Sequence, residues 1–407
     1  MRIAYVCADF GIPVFGTKGA SIHVRELTAA LGARGHDVLF LTPRGEGQAP
    51  TGFTAAVAQV ALEPADEGLY ELLLRDAAAG PSVAREIRGL LYVGTLRRRG
   101  LQLLQDFRPD VVLERYSLLG RAGIDLAAAL DVPLLLEVNA PLADEQAEHR
   151  GLAFAATVRT VERKVLRSAD RVIAVSTVLG EWLIEQGVDP ERIAVLPNGV
   201  DVERFQAGSR ERTTTRAELG VAEEPLVGFV GSLRPWHDVP ALIDAVGRLR
   251  HDGKSVRLAV IGDGPHRVEL AEQARRVGLD AIFTGAVSYE RIPAHLAALD
   301  VAVAPYAPSE HFYFSPLKLV EYLAAGLPVV AADIGDLGHC IRSGETGWLY
   351  PPGDVDALAR AIAMAVDDEL AARRLARAGN EHVRAEHSWR SNADRIVELA
   401  RVSRGSQ

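Results

Sequence analysis

Val301-Ala302-Val303-Ala304, the loop 305–314, Ser315-Pro316-Leu317-Lys318-Leu319-Val320-Glu321-Tyr322-Leu323-Ala324-Ala325, and Val329-Val330-Ala331-Ala332 follow one another in the chain. The two flanking runs are apolar without alternation, the pattern of strands covered on both faces. Between them Pro316–Ala325 reads as a helix, with Pro316 at its first position, where a missing N–H costs nothing. A strand, a helix and a second covered strand imply parallel pairing through a right-handed crossover.

The same unit recurs in both directions. Upstream lie the strands Leu226–Gly231, Arg257–Ile261 and Ala281–Thr284, separated by the helical runs Pro240–Arg250, His266–Val277 and Tyr289–Leu299. The first half repeats the theme with strands at Ile3–Ala8, Asp37–Leu41, Asp110–Glu114, Val132–Val138, Arg171–Val175 and Ile193–Leu196. Helical runs there are Ser21–Arg34, Glu71–Phe107, Leu142–Ser168 and Thr177–Gln186. The pattern predicts an α/β protein with two doubly wound, Rossmann-like domains. Pro197-Asn198-Gly199-Val200-Asp201 is turn-rich and reads as the hinge, giving domains at 1–197 and 198–385. After Val355–Val366 and Glu369–Arg384, the segment 386–407 carries a last helix, Trp389–Val402, expected to cross back onto the first domain. Two such domains facing one another would leave a cleft outside the carboxyl ends of both sheets, where ligands of open α/β sheets bind.

Composition narrows the function. At 407 residues the chain exceeds one comfortable core, and 48% hydrophobic with 24% charged residues describes a globular protein. A net charge of −9 argues against a nucleic-acid partner. No run approaches the ~20 apolar residues that span a bilayer. Met1–Val6 reads straight into a strand rather than a leader, so a cytoplasmic protein is expected. Cys7 and Cys340 match no metal-ligand spacing, and Cys7 reads as a small buried hydrophobe. Arg97-Arg98-Arg99 beside Leu90-Leu91-Tyr92-Val93 is the best lipid-facing candidate. It reads as a helix with one buried and one solvated face, allowing at most weak peripheral membrane contact.

Four loops could carry chemistry. Gly11–Ser21, with Gly16 and Gly19, leads into a helix and reads either as a phosphate loop or as a plain turn. Gly231-Ser232-Leu233-Arg234-Pro235-Trp236-His237-Asp238 follows a strand, and an arginine there suits a diphosphate. Gly262-Asp263-Gly264-Pro265 repeats the tight turn after the next strand. Glu310–Val330 sets the positive end of a helix behind a loop, with Glu321 one turn in, able to accept two ribose hydroxyls. Read alone, Glu321 is an exposed helix glutamate. Asp354-Val355-Asp356, the only Asp-x-Asp pair, reads as a helix cap rather than a metal site.

On Gly16–Leu31, Ala169–Ser176, Leu196–Phe205, Gly231–Asp238, Ile261–Pro265, Ser315–Val330 and Gly344–Gly353, the chain resembles the retaining glycosyltransferases of family 4. These have the GT-B fold, and the resemblance covers essentially the whole length. It implies a nucleotide-sugar donor, no cofactor, no metal, and a small-molecule, glycan or lipid acceptor. By the same resemblance Glu321 binds the donor ribose, the amides of Leu317 and Lys318 hold phosphate after Ser315, and Arg234 with His237 neutralises it. Gly16 and Gly19 would close over the diphosphate, with Gly262 and Gly264 in the neighbouring tight turn and Val287 near the base. Catalysis would rest on Arg234, Lys318 and Asn139. Two positions depart from the family. Tyr313 stands where its first motif glutamate belongs, leaving Glu310, His311 or backbone to read the sugar. Asn139 stands where many relatives carry histidine. A nucleotide-sugar 2-epimerase, a phosphorylase and a non-catalytic nucleotide-sugar-binding protein are the alternatives.

Overall fold

The computed structural model describes residues 1–50, 52–75, 80–206 and 208–405. They form two units, Met1–Pro197 with the segment beginning at Trp389, and Asn198–Ser388. The first unit holds β1 (Arg2–Cys7), β2 (Asp37–Thr42), β3 (Ala56–Gln59), β4 (Val111–Arg115), β5 (Leu134–Val138), β6 (Arg171–Ala174) and β7 (Ile193–Val195). They lie in the order β3-β2-β1-β4-β5-β6-β7, and every neighbouring pair is parallel. All residues of β4 and β5 are buried, as helices on both faces require.

The second unit holds β8 (Leu226–Val230), β9 (Arg257–Ile261), β10 (Ile282–Gly285), β11 (Val301–Ala304), β12 (Val329–Ala332) and β13 (Trp348–Tyr350). Their order is β10-β9-β8-β11-β12-β13, again parallel throughout. In each sheet the winding direction reverses once, between β1 and β4 and between β8 and β11. Those reversals splay the loops beyond the strand ends and create the place where such folds take ligands.

Several boundaries differ from the sequence reading. β3 has no buried residue and β13 spans only three residues, so neither carries a run long enough to read as a covered strand. The helices Ala122–Leu130, Ser209–Glu218 and Leu337–Cys340 were also not anticipated. The span Glu71–Phe107 is not one helix. It comprises the end of Pro64–Arg75, then Gly80–Thr95, a π turn at Leu96–Gly100 and Leu101–Phe107, with 76–79 outside the described residues. Leu142–Ser168 is broken after His149, where Gly151 takes a left-handed φ of +76°, and the Glu86 carboxylate accepts the N–H groups of Ala153 (2.7 Å) and Phe154 (2.8 Å) ahead of a new helix at Ala155. Among the described residues no helix is long and apolar enough to cross a membrane. In the arginine run Arg98 pairs with Glu63, and nearby Tyr92 is buried against Phe10.

The last helix, Trp389–Gly405, belongs to the first unit. Trp389 meets the His23 ring edge-on at 5.0 Å, Asp394 pairs with Arg34 and Arg404 with Asp110, and the Asn392 amide donates to the Pro197 carbonyl. The chain crosses back at Ser388 rather than at residue 385, since Glu369–Glu386 runs on and Val200 N–H bonds the His387 carbonyl at 2.9 Å. Asp354 accepts the Ala357 N–H at 2.8 Å and caps Val355–Asp367, while Asp356 pairs with Arg248. Asp354→Ala is therefore expected to lower unfolding free energy by about 0.5–2 kcal/mol, read as a reduced urea midpoint with unchanged activity.

Candidate functional site

In the second unit the loops after β8 and β11 flank the sheet's reversal and touch, Ala307 N–H donating to the Trp236 carbonyl at 3.1 Å. Below them begins the helix Leu317–Ala324. Pro316 is its extended N-cap rather than its first residue, with φ −75° and ψ 118°. The hinge sequence fixes this turn: Asn198 N–H donates to Ser315 Oγ at 2.8 Å and its side-chain amide to the Ser315 carbonyl at 2.5 Å. Leu317, half-buried, opens the helix, so its amide and that of Lys318 are among the N–H groups no helical carbonyl can accept.

Lys318 is buried, and its Nζ has no hydrogen-bond partner among the described residues. The ammonium lies 4.4 Å from the centroid of the Phe229 ring and 5.2 Å from that of Tyr306. At the end of β8, a Cβ on Gly231 would come within 2.9 Å of Nζ. Loss of water drives the Lys318 pKa down to about 7, against a smaller opposing pull from Glu321. Glu321 is only 6% exposed, which does not fit the alternative of an exposed helix glutamate.

His237 is not a cation. Its ring packs between Phe229, Trp236 and Tyr306, Nδ1 donates to the Ser232 carbonyl at 2.5 Å, and burial with the nearby Lys318 charge pushes its pKa down to about 2. A neutral imidazole cannot neutralise phosphate; it supports the loop. Arg234 is exposed, makes no ion pair among the described residues, and lies 5.9 Å from the Trp236 ring centroid.

Gly262 and Gly264 serve the neighbouring loop. Gly231 N–H bonds the Ile261 carbonyl and Leu233 N–H the Asp263 carbonyl, both at 3.0 Å. A Cβ would stand 2.1 Å from the Gly231 oxygen at Gly262 and 2.6 Å from the Leu233 nitrogen at Gly264. Their glycines are thus required by backbone meeting backbone. Val287 is half-buried beyond edge strand β10. Tyr313 is half-buried against Phe314, whereas Glu310 and His311 are exposed.

In the first unit Gly16 sits in a turn closed by its N–H to the Pro13 carbonyl (3.0 Å), and a Cβ there would meet Ser21 Oγ at 2.7 Å. Gly19 opens the helix Gly19–Ala33. Asn139 donates its amide to Glu137 at 2.5 Å. That carboxylate also meets His23 Nε2 (2.5 Å) and accepts from Arg115 (3.0 Å) and the Tyr5 hydroxyl (2.8 Å). Burial alone would raise its pKa, but His23, Arg115 and these hydrogen bonds hold it well below the carboxylate range. Sequence reasoning missed this network. Its signal was a glutamate inside the apolar run Leu134–Val138, with Arg115 closing the adjacent strand.

Residues 17–204 match Glycosyltransferase Family 4, and residues 224–368 match Glycosyl transferases group 1. A glycogen synthase of Mycobacterium tuberculosis is 30% identical over 98% of this chain and 94% of its own. A GDP-mannose-dependent alpha-mannosyltransferase of the same organism is 34% identical over 70% of this chain and 72% of its own. Among solved structures, Anabaena HepE in complex with UDP superimposes with a TM-score of 0.73 at 22% identity, covering 98% of this chain and 99% of that one. With matching family regions in both units and a relative aligned almost end to end, this chain belongs to the family 4 glycosyltransferases of GT-B fold, and it is an enzyme of that class.

Proposed function

We propose that the chain moves a hexosyl group from a nucleoside diphosphate sugar to an acceptor hydroxyl, with retention at the anomeric carbon and without a metal ion. The observation that carries this reading is Lys318, a buried ammonium with no acceptor among the described residues, in the first turn of a helix whose first two amides, on Leu317 and Lys318, have no helical carbonyl to reach. An anion satisfies both at once. A diphosphate suits the site because Glu321, one turn further on, is a carboxylate for ribose hydroxyls, with Val287 toward the base. The names of the relatives support the donor class, one being GDP-mannose-dependent and one solved with UDP. They also favour transfer over the epimerase, phosphorylase and non-catalytic readings.

In this mechanism the bond between the anomeric carbon and the β-phosphate oxygen breaks as the acceptor oxygen bonds to that carbon from the same face. The acceptor proton passes to the departing phosphate oxygen. Negative charge grows on the diphosphate, and fixed cations and dipoles lower the barrier in proportion. Lys318 and the helix amides lie on one side, and exposed Arg234 supplies the charge that His237 lacks. Asp354 and Asp356 are engaged as cap and ion-pair partner, which supports a metal-free site.

Arg234→Ala is expected to reduce single-turnover rate by about 10²–10³-fold at saturating donor, with Arg234→Lys restoring only part. Unchanged turnover would remove Arg234 from the mechanism. Excess EDTA should leave turnover intact, and a loss reversed by magnesium or manganese would overturn metal independence. Because bound diphosphate favours charged Lys318, binding above about pH 7 should take up a proton. Affinity for a nucleotide sugar should fall by up to about tenfold per pH unit between about pH 7 and 8.5. Calorimetry in buffers of different ionisation enthalpy measures that uptake, which Lys318→Met should abolish.

A further inference from the structure

A ladder of aromatic rings runs outward from the Lys318 pocket. Buried Tyr306 meets buried Phe312 edge-on at 4.8 Å, Phe312 meets Phe314 at 5.3 Å, and Phe314 meets Tyr313 at 4.4 Å. Phe314 also lies nearly parallel to Trp236, with centroids 6.3 Å apart and planes 20° apart. Trp236 keeps 37% of its surface exposed although it is braced by His237, Phe314 and the Ala307 hydrogen bond. A large ring held rigid and left open to water is built for a flat apolar partner.

The position of the ladder selects that partner. Residues 312–314 precede the N-terminus of Leu317–Ala324, whereas Glu321 follows it by a turn. A diphosphate at that N-terminus with ribose toward Glu321 directs its other substituent back over the loop, onto the rings. Glu310 and His311, the ionisable side chains just ahead of the ladder in sequence, are exposed.

We infer that Trp236, Tyr313 and Phe314 form a stacking wall for the hexosyl ring of the donor, selecting it by its apolar face instead of gripping its hydroxyls with a carboxylate. The inference rests on the nucleotide-sugar reading above. A pyranose presents axial C–H groups on one face, which complement the negative face of an aromatic ring. Hydroxyls at the ring edge are then read loosely, so donors epimeric at one hydroxyl should be accepted within a narrow range of affinities.

The test compares dissociation constants for UDP and UDP-glucose, and for GDP and GDP-mannose, in the wild type and in Trp236→Ala, Tyr313→Ala and Tyr313→Phe. In the wild type the sugar should tighten binding of whichever diphosphate is held. Trp236→Ala and Tyr313→Ala should weaken the sugar-bearing ligand about 2- to 10-fold while leaving the free diphosphate unchanged, which also shows that the variants are folded. Tyr313→Phe should behave as wild type, because stacking needs the ring and not the hydroxyl. Trp236→Phe should lose the fluorescence change that separates sugar-bearing from free diphosphate. An equal sugar contribution in wild type and alanine variants would overturn the wall and leave the donor site standing. A Tyr313→Phe variant as weak as Tyr313→Ala would replace stacking by a hydrogen bond. Failure of the wild type to bind either diphosphate would instead overturn the nucleotide-sugar reading itself.

Discussion

The second unit is organised around a positive charge that has been taken out of water and given no counter-charge in contact. The Lys318 ammonium touches the faces of Phe229 and Tyr306, which attract a cation only weakly compared with the hydration it has lost. Its neighbours are arranged to tolerate it. Gly231 leaves the space that any side chain would fill, and His237 stays neutral. The Tyr322 hydroxyl accepts the Val230 N–H at 2.7 Å, pinning the helix of Lys318 to the end of β8. A lysine so placed holds its proton less tightly in the folded chain than in the unfolded one. Between about pH 7 and about pH 10.4 the unfolded chain binds the extra proton, so this residue makes the unit more stable as pH rises through that window and least stable below it.

The fold was legible because covered parallel strands write themselves as short apolar runs, and eleven of the thirteen strands among the described residues did so. The two exceptions lie at sheet edges, where Ala56–Gln59 faces solvent and Trp348–Tyr350 is too short for a pattern. Helix limits were less legible. The break after His149 is marked locally by Gly151, with φ +76°, but the start of the next helix is set by Glu86, a residue more than sixty positions away in the chain. The candidate site was legible as loops, since ligand loops follow strand ends at a reversal of winding. The work of each residue was not. Gly262 reads as a ligand loop and is required by the Gly231 carbonyl; His237 reads as a cation and is neutral. Both corrections come from packing between segments far apart in sequence.

The two units each bury charge at the carboxyl end of the sheet, with opposite outcomes. In the first, Glu137 gathers His23, Arg115, Tyr5 and Asn139, so its charge is paid for within the protein. A carboxylate with that many donors is rigid, and it fixes the Asn139 amide. In the second, Lys318 has nothing equivalent. The difference separates a scaffold from a binding site. A satisfied charge gains nothing from a ligand, because every hydrogen bond it could offer is already made. An unsatisfied one destabilises the free protein, and that free energy is recovered when an anion arrives to accept from it. The anion is then held by a group whose cost of dehydration was met on folding, not on binding. Such a group needs no reorganisation as charge develops on the ligand. For a reaction whose barrier is the departure of a diphosphate, this is the property that distinguishes the transition state from bound donor.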